Sequence, residues 1–159
     1  MCNIRLHLEE ISVVIPEIQG FIETHKDAFF DCQLNNNDQC CYELDQDNRL
    51  FKILNENGEL IGFCLLNIKN EPNWRYGYGY DYELEIGIFN DFQECGYATE
   101  CISNILYLLP SVNWNNANLF ARIYERNPDK KDMENILYRC GFKRTDKIIG
   151  IVEYTKSLE

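Results

Sequence analysis

The sequence predicts an α/β fold built on a mixed sheet, and three observations predict it. Period-two apolar runs alternate with helical runs along the chain, an Asn-Gly pair joins two of the strand-like runs into a hairpin, and no repeat, linker or change of composition interrupts the order. One domain spanning 1–159 is therefore expected, and 159 residues are enough for one core. With 45% apolar and 26% charged residues the chain has the balance of a folding protein, not a disordered one.

The first strand is expected over Asn3–Leu8, followed by a helix in which Val14, Ile15, Ile18, Phe21 and Ile22 recur at helical spacing despite Pro16 and Gly20. The polar stretch from Asp31 to Arg49, with its triple asparagine, reads as a loop able to cover a site. Strands "FKIL" and "ELIGFCLLNI" then flank "NENG", where Asn57 and Gly58 both tolerate positive φ. Glu71 to Asp81, aromatic and glycine-rich, reads as a connection.

Next, Tyr82, Leu84, Ile86 and Ile88 alternate with Glu83, Glu85 and Gly87, so both glutamates share one face of a strand. From Ala98, the positions Cys101, Ile102, Ile105, Leu108 and Leu109 form a helical stripe that Pro110 stops. "NLFARIY" is a short strand, after which Asn127 caps and Pro128 starts a helix with the stripe Met133, Ile136, Leu137 and Cys140, ending at Gly141. "IIGIVEYT" is read as a single closing strand.

The net charge of −11 argues against a nucleic-acid partner, whose phosphates are bound by lysine and arginine, and favours a cationic small molecule or basic peptide. No apolar run reaches the ~18 residues of a membrane span, and charges stand where a signal peptide would have its apolar segment, so no membrane partner and a cytoplasmic address are expected. Eight cysteines include no C-x-x-C pair, and neither His7 nor His25 lies near one; no metal site is expected, and the thiols read as reduced and mostly buried.

Between the strand ending "ELEIGIFND" and the helix "CISNILYLL" stands "QECGYATE", Gln93 to Glu100. At that junction several backbone N–H groups precede the first helical bond, and the helix dipole makes the end receptive to an anion. Gly96 removes a Cβ where a pyrophosphate would approach, and Ala98 keeps the first turn thin. The pattern lacks the lysine of a nucleoside-triphosphate loop and does not match G-x-G-x-x-G. On spacing alone a tight strand-to-helix turn explains it as well as an anion site does.

Gln93-x-x-Gly96-x-Ala98 resembles the Q/R-x-x-G-x-G/A motif of the GCN5-related N-acetyltransferases (GNAT). The unit "YELEIGIFNDFQECGYATECI" is closest to the branch containing the ribosomal-protein alanine N-acetyltransferases, where an E-I-G strand and a G-x-A-T-E helix start recur. "LFARIYERN" and "ILYRCGFKR" resemble the family's next strand and helix. The likeness runs from Tyr82 to Arg144 and implies a mostly antiparallel mixed sheet of six or seven strands flanked by about four helices, with a splayed central strand.

It also implies acetyl-CoA as co-substrate, with the pantetheine arm on Ile86, Gly87 and Ile88. The pyrophosphate would rest on the amides of Gln93, Glu94, Cys95, Gly96, Tyr97, Ala98 and Thr99, and Asn127 would contact the arm, a role its capping of the next helix matches equally. The implied reaction is direct attack of a primary amine, on a small molecule or peptide N-terminus, in a ternary complex. Glu85 is the candidate base, and Glu83 on the same face can share its work or bind a cationic acceptor such as a polyamine, amino-sugar or basic peptide.

The family's acid is a tyrosine four residues before the glycine of its G-F pair. Here that position is Leu137, and Tyr138, one residue on and ~100° around the helix, is the candidate. Without an acid the thiolate can still leave, since a thiol pKa is about 8.5. Cys95 is either a small filler or a thiol activated by the helix terminus. Pairing of two chains through the last strands is implied by the same resemblance. The alternative function is an acyl-CoA-binding sensor or structural module without turnover.

Overall fold

The structure, a computed structural model, describes residues 5–25, 48–68, 82–108, 118–148 and 150–157. Strand β1 (Leu6–Ile11) pairs antiparallel with β2 (Asn48–Asn55), and β2 with β3 (Leu60–Ile68). β1 runs past Leu8, where the sequence reading ends it, because its last carboxylates find cations across the ladder. Lys52 Nζ lies 3.4 Å from Glu9, and Arg49 Nε donates to Glu10 at 2.8 Å. Likewise Asn48 and Arg49, expected in a loop, open β2, with Asn48 buried.

The hairpin forms where expected, but only Gly58 adopts positive φ, at 78°. Asn55 organises the loop. Its carbonyl accepts from Gly58 N–H at 3.0 Å, its N–H donates to the Glu59 carbonyl at 3.0 Å, and its Oδ1 accepts from Asn57 and Glu59 N–H. This is a three-residue loop closed by one left-handed glycine, so Asn57 needs no positive φ.

β3 pairs with β4 (Tyr82–Ile88), which meets β5 (Asn118–Tyr124) in parallel; β5 pairs antiparallel with β7 (Ile151–Ser157), and β7 with β6 (Lys143–Ile148). The sheet order is β1-β2-β3-β4-β5-β7-β6, antiparallel at every step but one. The closing segment is thus two strands instead of one, turned at Gly150 with φ 82°. β6 escaped the sequence reading because it is an edge strand whose Lys143, Arg144, Asp146 and Lys147 are all exposed, a pattern that protects an edge and hides its periodicity.

Three α-helices lie among the described residues: α1 (Pro16–Thr24), α2 (Tyr97–Leu108) and α3 (Lys130–Arg139). Pro16 takes the first turn of α1, where its missing N–H costs nothing. Ile18, Ile22 and Val14 pack fully buried with Leu50, Phe63 and Leu65 on one face of the sheet. On the other face Cys101, Ile102 and Ile105 of α2 and Leu137 of α3 cover Leu119, Val152 and Tyr154. Each such burial contributes about 1.5–3 kcal/mol.

α3 begins three positions after Asn127 instead of beside it. Asn127 Oδ1 accepts the Asp129 N–H at 2.9 Å and its carbonyl the Lys130 N–H at 3.1 Å, which makes a turn leading into the helix. The helix ends as expected at Gly141, φ 91°, with Gly141 N–H donating to Tyr138 O and Phe142 N–H to Leu137 O.

Candidate functional site

β4 and β5 touch only at their beginnings, where Tyr82 faces Leu119 and Glu83 faces Phe120. Beyond Glu83 they separate. β4 stays with β3 as far as Ile88 opposite Gly62, and β5 stays with β7 as far as Tyr124 opposite Ile151. Peptide groups of Glu85–Ile88 that point away from β3 therefore border a gap, since alternate residues of a strand direct their N–H and C=O to opposite edges.

That gap is part of a cleft of about 500 Å³. Leu84 to Ile88 form one wall, Ala121 to Ile123 the other, the start of α2 closes one end, and α3 contributes Asp132, Asn135, Ile136 and Arg139. Of the residues singled out from the sequence, Glu85, Ile86, Gly87, Ile88, Gln93, Glu94, Gly96, Tyr97, Ala98, Thr99 and Asn127 line this one cleft.

Glu83, Cys95 and Tyr138 do not. Cys95 is exposed with its Sγ 3.4 Å from the Gln93 carbonyl. Tyr138 is 46% exposed and packs edge-on against Tyr154, centroids 5.8 Å apart. Leu137, at the position one residue earlier, turns into the core at 1% exposure. The ~100° between consecutive helix positions thus takes Tyr138 away from the cleft.

After β4 the chain makes one 3-10 turn, Asn90–Phe92, and then folds back at Glu94, φ 62°, and Gly96, φ 83°. Gln93 fastens this return: its Nε2 donates to the Ile88 carbonyl at 2.9 Å and to Asn90 Oδ1 at 3.3 Å. Glu100 N–H donates to Gly96 O at 3.2 Å as the first helical bond, so the amides of Tyr97, Ala98 and Thr99 precede it at the cleft's end.

The fold itself also requires a glycine at 96. Its backbone is left-handed, and a Cβ there would stand 3.1 Å from Arg5 Nη2, so it is the guanidinium of Arg5 that occupies the side a larger residue would need. Arg5 Nε pairs with Glu100 Oε1, which raises the arginine pKa further. Burial, then Glu56, raises that of the Tyr97 phenol.

On the α1 side of the cleft stand residues that sequence reasoning missed as site components. Phe21 stacks on His25, centroids 4.0 Å apart, and both line the cleft beside Glu85 and Gly87. His25 Nε2 lies 3.2 Å from Asn90 Oδ1, which ties the end of α1 to the loop after β4. Glu85 Oε2 is buried. At the narrow end of the gap Arg122 Nε lies between Glu83 (3.8 Å) and Glu153 (3.9 Å), two carboxylates around one guanidinium.

Among the described residues no group of His, Cys, Asp and Glu is arranged to hold a metal ion, and no helix is long and apolar enough to cross a membrane. Cys64, Cys95, Cys101 and Cys140 are free thiols, and burial pushes those of Cys64 and Cys140 up. The loops expected to line the acceptor side, at 31–47 and 71–81, lie outside the described residues.

A model of the "Acetyltransferase (GNAT) family" matches residues 16–142. No curated protein matches the sequence. Among solved structures, a spermidine N-acetyltransferase from Vibrio cholerae in complex with CoA and spermine is similar at TM-score 0.62 and 17% identity, covering 97% of this chain and 96% of that one. A dodecameric structure of spermidine N-acetyltransferase from the same organism gives 0.64 and 17%, covering 98% and 95%. A candidate phosphinothricin N-acetyltransferase gives 0.63 and 13%, covering 97% and 99%. At these identities the likeness is one of fold.

Proposed function

The chain belongs to the Acetyltransferase (GNAT) family, and from that premise we propose that it is an acetyl-CoA-dependent N-acetyltransferase acting on a primary amine. The observation that carries the reading is the parting of β4 from β5 just after Glu83, which opens a cleft ending on the first turn of α2. A long, thin, anionic-ended ligand suits such a slot. Strand edges supply hydrogen-bonding peptide groups along its length, and free helical amides supply an electropositive end.

When bound, acetyl-CoA supplies a thioester whose acetyl group passes to the amine while the carbon–sulfur bond breaks. The peptide groups of Ile86, Gly87 and Ile88 hold the pantetheine arm, and the amides from Gly96 to Thr99 hold the diphosphate, while the Gln93 N–H donates to the Asn90 carbonyl at 3.4 Å. Ala98, 7% exposed, keeps the helix start thin there. Glu85 accepts the proton the amine loses, directly or through water; it lines the cleft on the strand face it shares with Gly87, against which Phe21 packs.

The acceptor is a cationic amine that gives up its proton on the enzyme. Glu83 and Glu85 share one face of β4, and the chain's net charge of −11 favours a cation. A polyamine, an amino-sugar or a peptide N-terminus meets this description, and the spermine held by the Vibrio cholerae relative supports the first. A second reading, a CoA-binding module without turnover, draws support from Tyr138, which stands outside the cleft lining.

Calorimetric titration of acetyl-CoA into the reduced protein tests the shared premise, with Gly96→Glu as control because a side chain on this left-handed backbone, against the Arg5 guanidinium, displaces the loop whose amides form the proposed diphosphate seat. Micromolar binding abolished by the substitution is expected. A wild-type protein that does not bind acetyl-CoA would refute both readings.

A further inference from the structure

Arg5 precedes β1 and is no part of the cleft lining, yet it holds the loop and helix that end the cleft. Its Nη2 donates to the Cys95 carbonyl at 2.6 Å and its backbone N–H to Glu100 Oε2 at 3.2 Å, while its Nε pairs with Glu100 Oε1. The guanidinium also lies over the Tyr97 ring, 5.0 Å from its centroid.

Two consequences follow from peptide geometry and charge. In a trans peptide the carbonyl and the next N–H point in opposite directions, so fastening Cys95 O to Arg5 turns the Gly96 N–H the other way. Gly96 lines the cleft and Arg5 does not, which makes the other way the cleft side. Glu100, moreover, stands in the first turn of α2, where its charge competes with any external anion for the helix end. Arg5 grips that carboxylate through both oxygens and cancels its charge.

We propose that Arg5 is a positioning residue for the diphosphate of CoA: it orients the Cys95–Gly96 peptide and neutralises Glu100, leaving the amides at the start of α2 to the ligand. The proposal rests on the acetyl-CoA reading above. It makes affinity for the diphosphate depend on a residue ninety positions away in the chain from the carbonyl it holds, while the pantetheine half of the cleft is independent of it.

Amide-detected NMR titrations with CoA and with pantetheine, which lacks the diphosphate, separate the two halves. Arg5→Ala is expected to weaken CoA about tenfold and to leave pantetheine affinity unchanged. Adding Glu100→Gln to Arg5→Ala should recover part of the loss, because it removes the competing charge and not the loosened peptide. Arg5→Lys keeps a charge without the fork that spans Cys95 and Glu100, so a loss of about threefold for CoA alone is expected, and this variant carries the test if Arg5→Ala does not fold. Equal weakening of CoA and pantetheine, or no weakening of either, would overturn the proposal and leave Arg5 a structural tie. A wild-type protein that binds pantetheine but not CoA would also overturn it, and one that binds neither would overturn the acetyl-CoA reading itself.

Discussion

Replacing Gly87 with alanine puts the tightest point of the site to a test. The added Cβ would stand 2.4 Å from Phe63 Cε1, 3.0 Å from Phe63 Cζ and 2.8 Å from Phe21 Cε1. Carbon atoms in contact settle at about 3.5–4.0 Å, so the Phe63 ring must withdraw by roughly 1 Å. Phe21 is half-buried at the cleft and stacked on His25; Phe63, fully buried against Ile18, Ile22, Leu50 and Leu65, has little room to withdraw. Overpacking of this kind costs about 1–3 kcal/mol, which for a chain of this length lowers Tm by roughly 2–12 °C. Removing the ring should relieve the clash, so in a Phe63→Leu background Gly87→Ala should cost at least about 1 kcal/mol less than it does alone. Urea and thermal unfolding of the four proteins measure that coupling. The packing argument fails if Gly87→Ala unfolds with wild-type Tm, or if its cost is the same in both backgrounds.

Three further outcomes are expected. Glu85→Gln should lower turnover of an accepted amine by about 10²–10⁴-fold while acetyl-CoA binding by calorimetry stays at the wild-type value, since general-base catalysis is of that size; unaltered turnover would favour the non-catalytic module. Tyr138→Phe should leave kcat within about twofold, because a side chain outside the cleft cannot meet the ~3 Å reach that proton transfer requires; a loss of a hundredfold or more would show that Tyr138 enters the site during the reaction. The Arg49 hydrogen bond holds the Glu10 carboxyl below its usual 4.5. Because the folded value lies below the unfolded one, the pair's contribution is present above pH 4.5 and fades as pH falls through the folded pKa. Urea midpoints measured on either side of that pH should therefore fall with acid less steeply in Glu10→Gln than in wild type, by a small margin because both side chains are partly exposed.

Which parts of the fold and site were legible follows from how far each depends on contacts along the chain. β4 and β5 lie in the middle of the sheet, and their periodic runs give their bounds to the residue: Tyr82–Ile88 and Asn118–Tyr124. The turn from β4 into α2 is equally local, since Gln93, Glu94 and Gly96, which shape it, lie within a few residues of each other. β6 is different. As an edge strand it answers to solvent, its charges hide the period of two, and only the ladder with β7 from Lys143 to Ile148 reveals it.

The site divides in the same way. Its proposed diphosphate end is written in eight consecutive residues, whereas Arg5, which holds that loop and helix start in place, comes from the far end of the chain and left no mark in the local pattern. Phe21 was legible as an apolar helix position and His25 only as a histidine far from any cysteine. That they face Glu85 and Gly87 across the cleft depends on α1 packing over Phe63 and Leu65 of β3, a contact no local period encodes. A cleft wall assembled from separate segments can change its chemistry by substitution in any one of them, while the loop before α2 cannot lose Gly96 without meeting both a left-handed backbone and the guanidinium of Arg5. The proposed cofactor end is therefore readable from a short stretch of this chain, whereas the proposed amine side depends on how α1 packs over the sheet.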